Sequence, residues 1–84
     1  MRARVAAARA YVDELRQAPC VDCGVQYHLA AMEFDHVRGE KQRNIAAFVV
    51  AGYTIDAIDA ELEKCELRCA NCHNIRHWEV RHAG

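Results

Sequence analysis

Nine consecutive positions, Cys69 to His77, hold two thiols and two imidazoles at spacings typical of metal sites. Two residues separate Cys69 from Cys72, which is a common way to hold half of a tetrahedral zinc site. His73 and His77 are four residues apart, so on a helix they lie on one face and can bind one ion together. Adjacent helical side chains diverge by about 100°, so Cys72 and His73 point in different directions. The stretch therefore predicts two metal sites back to back, one structural and one chemical.

A second cysteine pair, Cys20 and Cys23, completes the first of these sites. Gly24 follows it directly, and glycine permits the left-handed backbone of a tight zinc knuckle. A thioredoxin-like redox pair is the alternative, but it needs a βαβ setting that the sequence lacks. The two pairs are separated by about 45 residues, so a sizeable insert must lie between the knuckles. We predict a structural zinc site formed by four cysteines: Cys20, Cys23, Cys69 and Cys72.

The pair Asp35-His36 lies near the end of a predicted strand, Tyr27 to Val37, in which Met32 and Phe34 alternate with acidic residues. By itself the pair is compatible with a surface carboxylate beside an imidazole. Neighbouring strand residues face opposite sides of a sheet. Asp35 and His36 can therefore share one centre only if the strand frays or twists, which the nearby Gly39 would permit.

The composition limits the classes of function. The chain has 84 residues, so we expect one small domain that a bound metal ion would stabilise. Its formal net charge is −1. Proteins that bind nucleic acid through bulk charge are usually strongly basic, so any such contact here must be local or metal-assisted. No apolar run reaches the roughly 18 residues of a membrane span, and no signal peptide is evident. Five cysteines with two CxxC units suit a reducing compartment, and we expect a cytoplasmic protein.

The remaining segments predict an α+β fold. Helices are expected over Arg2 to Gln17, ended by Pro19; over Asn44 to Ala51; over Ile55 to about Lys64, capped by Thr54; and over Ala70 to about His82. Glu66 to Arg68 is predicted to be a second short strand that delivers Cys69. We expect Ile75, Trp78 and Val80 of the last helix to pack inward. The acidic residues of the third helix are interpreted as a solvated face, and Cys65 as a small buried hydrophobic residue.

The segments EFDHV-x-G-x-K (33–41) and KCELRCANCH (64–73) together resemble the HNH endonucleases, and most closely the small phage-encoded members with a four-cysteine zinc. The resemblance runs from about Cys20 to His77. It implies a ββα-metal (HNH, or His-Me finger) fold, with a single nuclease domain over 1–84. Within it, residues 1–18 form an N-terminal packing helix and residues 20–77 the zinc-stapled core.

The resemblance also implies roles for individual residues. His36 corresponds to the general base, Asp35 and His73 to ligands of a catalytic divalent ion, and His77 to a second helix histidine on the same ion. The mixed nitrogen and oxygen ligands suit Mn²⁺, Ni²⁺, Co²⁺ or Zn²⁺ at least as well as Mg²⁺. Lys41 and Arg76 are candidate phosphate contacts. The implied activity is DNA hydrolysis of low sequence specificity, and phage terminase subunits are implied partners.

The sequence departs from the family at Lys64, which stands where the family usually has an asparagine that holds the loop orienting the base. Either Lys64 contacts phosphate, or the loop is held in another way. The departure favours an alternative function, a non-catalytic zinc module that binds nucleic acid or protein in a phage packaging complex. Against that alternative, all four candidate catalytic positions carry competent residues.

Overall fold

The computed structural model describes residues 2–83, so Met1 and Gly84, the ends of the predicted domain, lie outside the described residues. It confirms an α+β architecture with a two-stranded antiparallel sheet. In residues 2–83, no helix is both long and apolar enough to cross a membrane. The helices are α1 (Arg2–Leu15), α2 (Ile45–Val50), α3 (Ile55–Leu62) and α4 (Ala70–His82), and the strands are β1 (Met32–His36) and β2 (Cys65–Cys69).

The helices begin and end close to the positions that the sequence predicts. α1 ends at Leu15, ahead of Pro19, and buries Ala8 and Val12 of its apolar stripe. The Thr54 side chain accepts a hydrogen bond from the backbone N–H of Ala57 at 3.2 Å, so Thr54 caps α3 as expected.

The first strand is shorter than predicted. The strand expected over 27–37 is regular only from Met32 to His36, because Leu29–Ala31 form a turn of 3₁₀ helix. His28 starts that turn, since its Nδ1 accepts a hydrogen bond from the backbone N–H of Ala30 at 3.0 Å. β1 and β2 then pair antiparallel, with Met32 opposite Cys69 and His36 opposite Cys65. This register places Asp35-His36 at one end of the sheet and Cys69 at the other.

The interior has two parts of different character. The larger part is an aliphatic and aromatic core in which α1, α2 and α3 meet. The smaller part is a cluster of cysteine and methionine where the two CxxC segments meet. Residues of the larger part are Ala8, Val12, Ile45, Phe48, Val49 and Ile58, and residues of the smaller part are Cys20, Met32 and Cys69. The helical core therefore supports one side of the sheet region, and the cysteine cluster fastens the chain's front to the start of α4.

The predicted inward packing of Ile75, Trp78 and Val80 is wrong. These side chains are 56%, 55% and 65% exposed. α4 packs against both strands, and the side chains that it directs to the sheet are polar ones, such as His73 and His77, which contact β1 carboxylates. A two-stranded sheet covers only one face of a helix, so the apolar residues on the remaining surface stay in solvent.

Candidate metal centres and active site

Four cysteines converge as the sequence predicts. Cys20 and Cys23 lie on a turn after α1, and Gly24 closes the turn with a φ of +73°. Cys69 ends β2 and caps α4, while Cys72 lies in the first turn of that helix. Their sulfur atoms all lie within 4.8 Å of one another. Tetrahedral Zn–S bonds of about 2.3 Å place sulfurs about 3.8 Å apart, so this cluster fits a structural zinc ion.

The electrostatics of the cluster also favour a cation. Burial alone would raise the pKa of Cys20, but hydrogen bonds from the backbone N–H groups of Cys23, Cys69 and Asp22 lower that pKa to about 6. The pKa of Cys72 rises to about 12, chiefly through its hydrogen bond with the Cys69 sulfur. The backbone thus stabilises one thiolate, while the crowding of four sulfurs opposes further ionisation. A divalent ion would offset the repulsion between neighbouring thiolates, and thiolate is the form of cysteine that binds metal.

A second group, formed by Asp35, His73 and His77, offers three ligand atoms within 4.8 Å of one another. Asp35 Oδ1 lies 3.4 Å from His73 Nε2 and 3.3 Å from His77 Nε2. Ligand atoms bound at about 2.0–2.1 Å to one ion lie about 3.0–3.4 Å apart, depending on the coordination geometry. One carboxylate oxygen and two imidazole nitrogens therefore fit a divalent ion, and three protein ligands leave positions open for substrate.

Glu33 sets the orientation of one of these imidazoles. It lies on β1 two residues before Asp35, and its carboxylate is hydrogen-bonded to His73 Nδ1. An ionised carboxylate can only accept, so this contact assigns the proton to Nδ1 and leaves Nε2 to face Asp35. Metal-binding histidines commonly donate their other ring N–H to a carboxylate in this way. The Glu33 contact therefore supports a ligand role for His73.

Two guanidinium groups hold the opposite oxygen of Asp35. Asp35 is 2% exposed, and its Oδ2 accepts hydrogen bonds from Arg68 at 3.1 Å and Arg76 at 3.0 Å. Arg68 also donates a hydrogen bond to Asp22 at 2.7 Å and forms an ion pair with Glu66 at 2.9 Å. Both contacts raise the pKa of Arg68, and the contact with Asp22 has the larger effect. Asp22 lies between the first two cysteines. Arg68 therefore links the turn that carries Cys20 and Cys23 to Asp35, and Asp35 Oδ1 is left facing the imidazoles.

His36 borders the same cavity as these ligand residues, although it neighbours Asp35 on the strand. The cavity has a volume of about 560 Å³, and Asp35, His36, His73 and His77 all line it. β1 stays paired through His36, opposite Cys65, so both neighbours border the cavity without fraying of the strand. The His36 side chain is 12% exposed, and its Nε2 lies 3.0 Å from Glu61 Oε2.

Glu61 corrects the interpretation of α3 as a helix with a wholly solvated acidic face. It is 2% exposed and lies at the end of α3, where its carboxylate contacts His36 and Lys64 and accepts from the backbone N–H of Gln42. Burial alone would raise the pKa of Glu61, but the hydrogen bonds with Lys64, Gln42 and His36 together hold it below its usual value. Glu61 is therefore ionised at neutral pH.

The three candidate phosphate-binding side chains differ in their surroundings. Lys41 is exposed and lines the cavity beside His36. Arg76 borders a neighbouring cavity with Arg81, but its guanidinium is also bound to Asp35. Lys64 is held by protein atoms: its Nζ lies 2.7 Å from the Glu40 carbonyl oxygen and 2.9 Å from Glu61 Oε1.

The sequence carried weak signals for the charged residues that were not foreseen. Glu61 follows the buried Ile58 by three positions, so helical periodicity already places it on the inward face of α3. Arg68 directly precedes Cys69, a predicted zinc ligand, in the predicted second strand. Glu33 alternates with the buried Met32, which suggested only a solvent-facing position. Their partners lie 25 to 46 residues away in the chain, so the contacts themselves are tertiary.

Comparisons with protein-family models, curated proteins and solved structures found no match to this chain.

Proposed function

We propose that the protein is a metal-dependent endonuclease that hydrolyses phosphodiester bonds in DNA. The observation that carries the proposal is the arrangement of Asp35, His73 and His77 around one small space, with His36 on the same cavity. The order of two antiparallel strands followed by a helix supports the proposed ββα-metal fold. β1 supplies Asp35 and His36, and α4 supplies His73 and His77. β2 supplies Arg68, which is hydrogen-bonded to Asp35.

Each side chain has a defined task in the proposed reaction. A divalent ion bound by Asp35 Oδ1 and the two Nε2 atoms would supply Lewis-acid stabilisation of negative charge on the phosphate and the leaving oxygen. His36 accepts a proton from the attacking water, because imidazole titrates near neutral pH. Arg68 and Arg76 hold Asp35 in place through Oδ2, and Glu33 holds His73.

Positive charge around the cavity provides local affinity for the DNA backbone despite the net charge of −1. Arg38 and Lys41 line the cavity that holds His36, and Arg81 lines the one beside it. These side chains suit contacts to phosphates, which position a duplex without reading its sequence. We therefore propose low sequence specificity. Terminase subunits as partners and a cytoplasmic location stay predictions from the sequence.

One observation favours the alternative, a zinc-binding interaction module without catalytic activity. Arg68 and Arg76 already neutralise Asp35, so this carboxylate has charged partners without any metal ion. In that case the two histidines would add to a buried ion-pair network, and only the four-cysteine site would bind metal. The two functions differ in whether a second divalent ion binds and whether DNA is cut.

Nicking of supercoiled plasmid by the zinc-loaded protein distinguishes them. Mg²⁺, Mn²⁺, Ni²⁺, Co²⁺ and Zn²⁺ are supplied in parallel, with His36→Ala as the variant lacking the base. His82→Ala is the matched control, because His82 is an exposed histidine at the end of α4 and stacks on Trp78. We expect nicking with at least one ion, a loss of roughly 10²–10⁴-fold in His36→Ala, and unchanged activity in His82→Ala.

Nicking of equal rate by wild type and His36→Ala would show that His36 is not the base or that a contaminant cuts the plasmid. A folded, zinc-loaded protein that cuts nothing with any of the ions would refute the nuclease and favour the interaction module.

A further inference from the structure

We propose that Glu61, held in place by Lys64, positions His36 for proton abstraction, and that this pair replaces the asparagine which the resemblance expects at position 64. The inference rests on the proposed nuclease function, since it assigns a role to the support of its base. It concerns two residues that the proposed reaction does not otherwise use.

Glu61 is the centre of a buried hydrogen-bond network. It is 2% exposed, and both of its carboxylate oxygens have donors. Oε2 accepts from the backbone N–H of Gln42 at 3.0 Å and lies 3.0 Å from His36 Nε2, while Oε1 accepts from Lys64 at 2.9 Å. A buried carboxylate is costly unless it is paired and hydrogen-bonded, and this one is fully satisfied. These hydrogen bonds therefore restrain the position of the His36 ring.

The contact also fixes which nitrogen of His36 is basic. An ionised carboxylate only accepts hydrogen bonds, so His36 Nε2 must carry the proton that it shares with Glu61. In the neutral ring the lone pair then resides on Nδ1, on a side chain that borders the cavity with Asp35 and His73. Loss of the carboxylate frees the ring to rotate and to exchange tautomers, so the correct base would be present only part of the time.

Lys64 holds the loop that follows the base. Its carbonyl oxygen accepts from the backbone N–H groups of Val37 at 2.8 Å and Arg38 at 3.2 Å. Its ammonium group reaches across to the Glu40 carbonyl oxygen at 2.7 Å. The lysine stem also packs at Gly39, whose φ is +68° and where an added Cβ would lie 3.5 Å from Lys64 Cγ. One residue thus fastens both ends of the 37–40 loop and anchors Glu61 at the same time.

Two measurements on Glu61→Met test the proposal. Methionine keeps the length of the side chain and removes the acceptor, while Glu63→Met makes the same change at the exposed neighbour. Nitrogen-15 NMR of the imidazoles, recorded above their titration, reports the His36 tautomer. We expect Nε2–H in wild type and in Glu63→Met, and mixed tautomers in Glu61→Met. Steady-state cleavage should show kcat lowered by roughly 10²-fold, because general-base catalysis contributes roughly 10²–10⁴-fold, with KM for DNA changed less than about threefold.

Lys64→Met separates loop support from phosphate binding. Loop support predicts a kcat lowered by roughly tenfold with KM and its salt dependence unchanged, whereas a phosphate contact predicts a raised KM and a reduced salt slope. Glu61→Gln keeps one acceptor oxygen, so it should restore part of the activity that Glu61→Met loses.

The proposal is overturned if Glu61→Met keeps the Nε2–H tautomer of His36, or if its kcat matches that of Glu63→Met. A wild type that cleaves no DNA would instead refute the proposed function. The tautomer of His36 in the two methionine variants would then decide alone whether Glu61 orients the ring.

Discussion

Replacing Arg68 with methionine measures how strongly the buried guanidinium stabilises Asp35. Methionine has a similar length and no charge, so it removes the contacts to three carboxylates with little loss of packing. Asp35 is 2% exposed, and removing one partner of a buried ion pair costs roughly 3–5 kcal/mol. The side chains of Asp22 and Glu66 are 44% and 33% exposed, where an ion pair contributes roughly 0–1 kcal/mol. Because Arg76 still holds Asp35 Oδ2, we expect the low end, about 3 kcal/mol.

The assay is urea unfolding of the zinc-loaded protein at fixed free zinc, followed by circular dichroism. Arg38→Met is the matched control, since the Arg38 side chain is 54% exposed and its Glu66 contact is 3.9 Å long. We expect that variant to lose less than about 1 kcal/mol. In an Asp35→Asn background the buried charge is gone, so Arg68→Met should cost about 1 kcal/mol or less. The reasoning is refuted if Arg68→Met costs no more than Arg38→Met, or if its cost is the same with Asp35 and with Asn.

Three further predictions concern the proposed zinc site, the core and a pH-sensitive hydrogen bond. Cys69→Ser should abolish tight binding of about one zinc ion and unfold most of the chain, as measured by metal analysis and circular dichroism; retained zinc and fold would show that the structural site is misplaced. Ile58→Ala should cost about 2–5 kcal/mol because Ile58 is fully buried, whereas Ile75→Ala at an exposed position should stay within about 0.5 kcal/mol, and equal costs in urea unfolding would contradict the assigned core. Tyr11 donates to Asp59 at 2.5 Å, and this hydrogen bond raises the pKa of Tyr11 above 10.0. Any stability that wild type has over Tyr11→Phe should therefore be constant from neutral pH to about pH 10 and shrink as pH rises through the raised pKa of Tyr11; a difference that grows with pH over that range would contradict the assigned hydrogen bond.

The sequence predicted which candidate metal ligands come together because much of their spacing is local. Cys69, Cys72, His73 and His77 are brought together by one strand end and one helix, whose geometry follows from short-range rules. The link to Cys20 and Cys23 followed from ligand chemistry, because four thiols complete one tetrahedral site. The α+β class and most helix boundaries followed from periodicity and capping.

Buried charge could not be predicted in the same way. Sequence patterns treat Glu61 and Arg68 as surface residues, since charged side chains are almost never fully buried unless they are paired. Their partners, His36 and Asp35, lie on β1, so the pairing depends on how β1, β2 and α3 meet. The prediction that Trp78 is buried fails for the opposite reason. Its apolar character predicts burial, but the two-stranded sheet is too narrow to cover that side of α4.

The central claim is that Asp35, His73 and His77 bind the ion while His36 serves as the base. The rate of single-turnover DNA cleavage as a function of Mn²⁺ concentration tests it most directly, with His73→Ala and His36→Ala compared against wild type. Loss of a ligand should raise the Mn²⁺ concentration for half-maximal rate by at least about tenfold. Loss of the base should lower the maximal rate by roughly 10²–10⁴-fold and leave that concentration unchanged. The account is contradicted if wild type shows no Mn²⁺-dependent cleavage, or if the two variants change the same parameter.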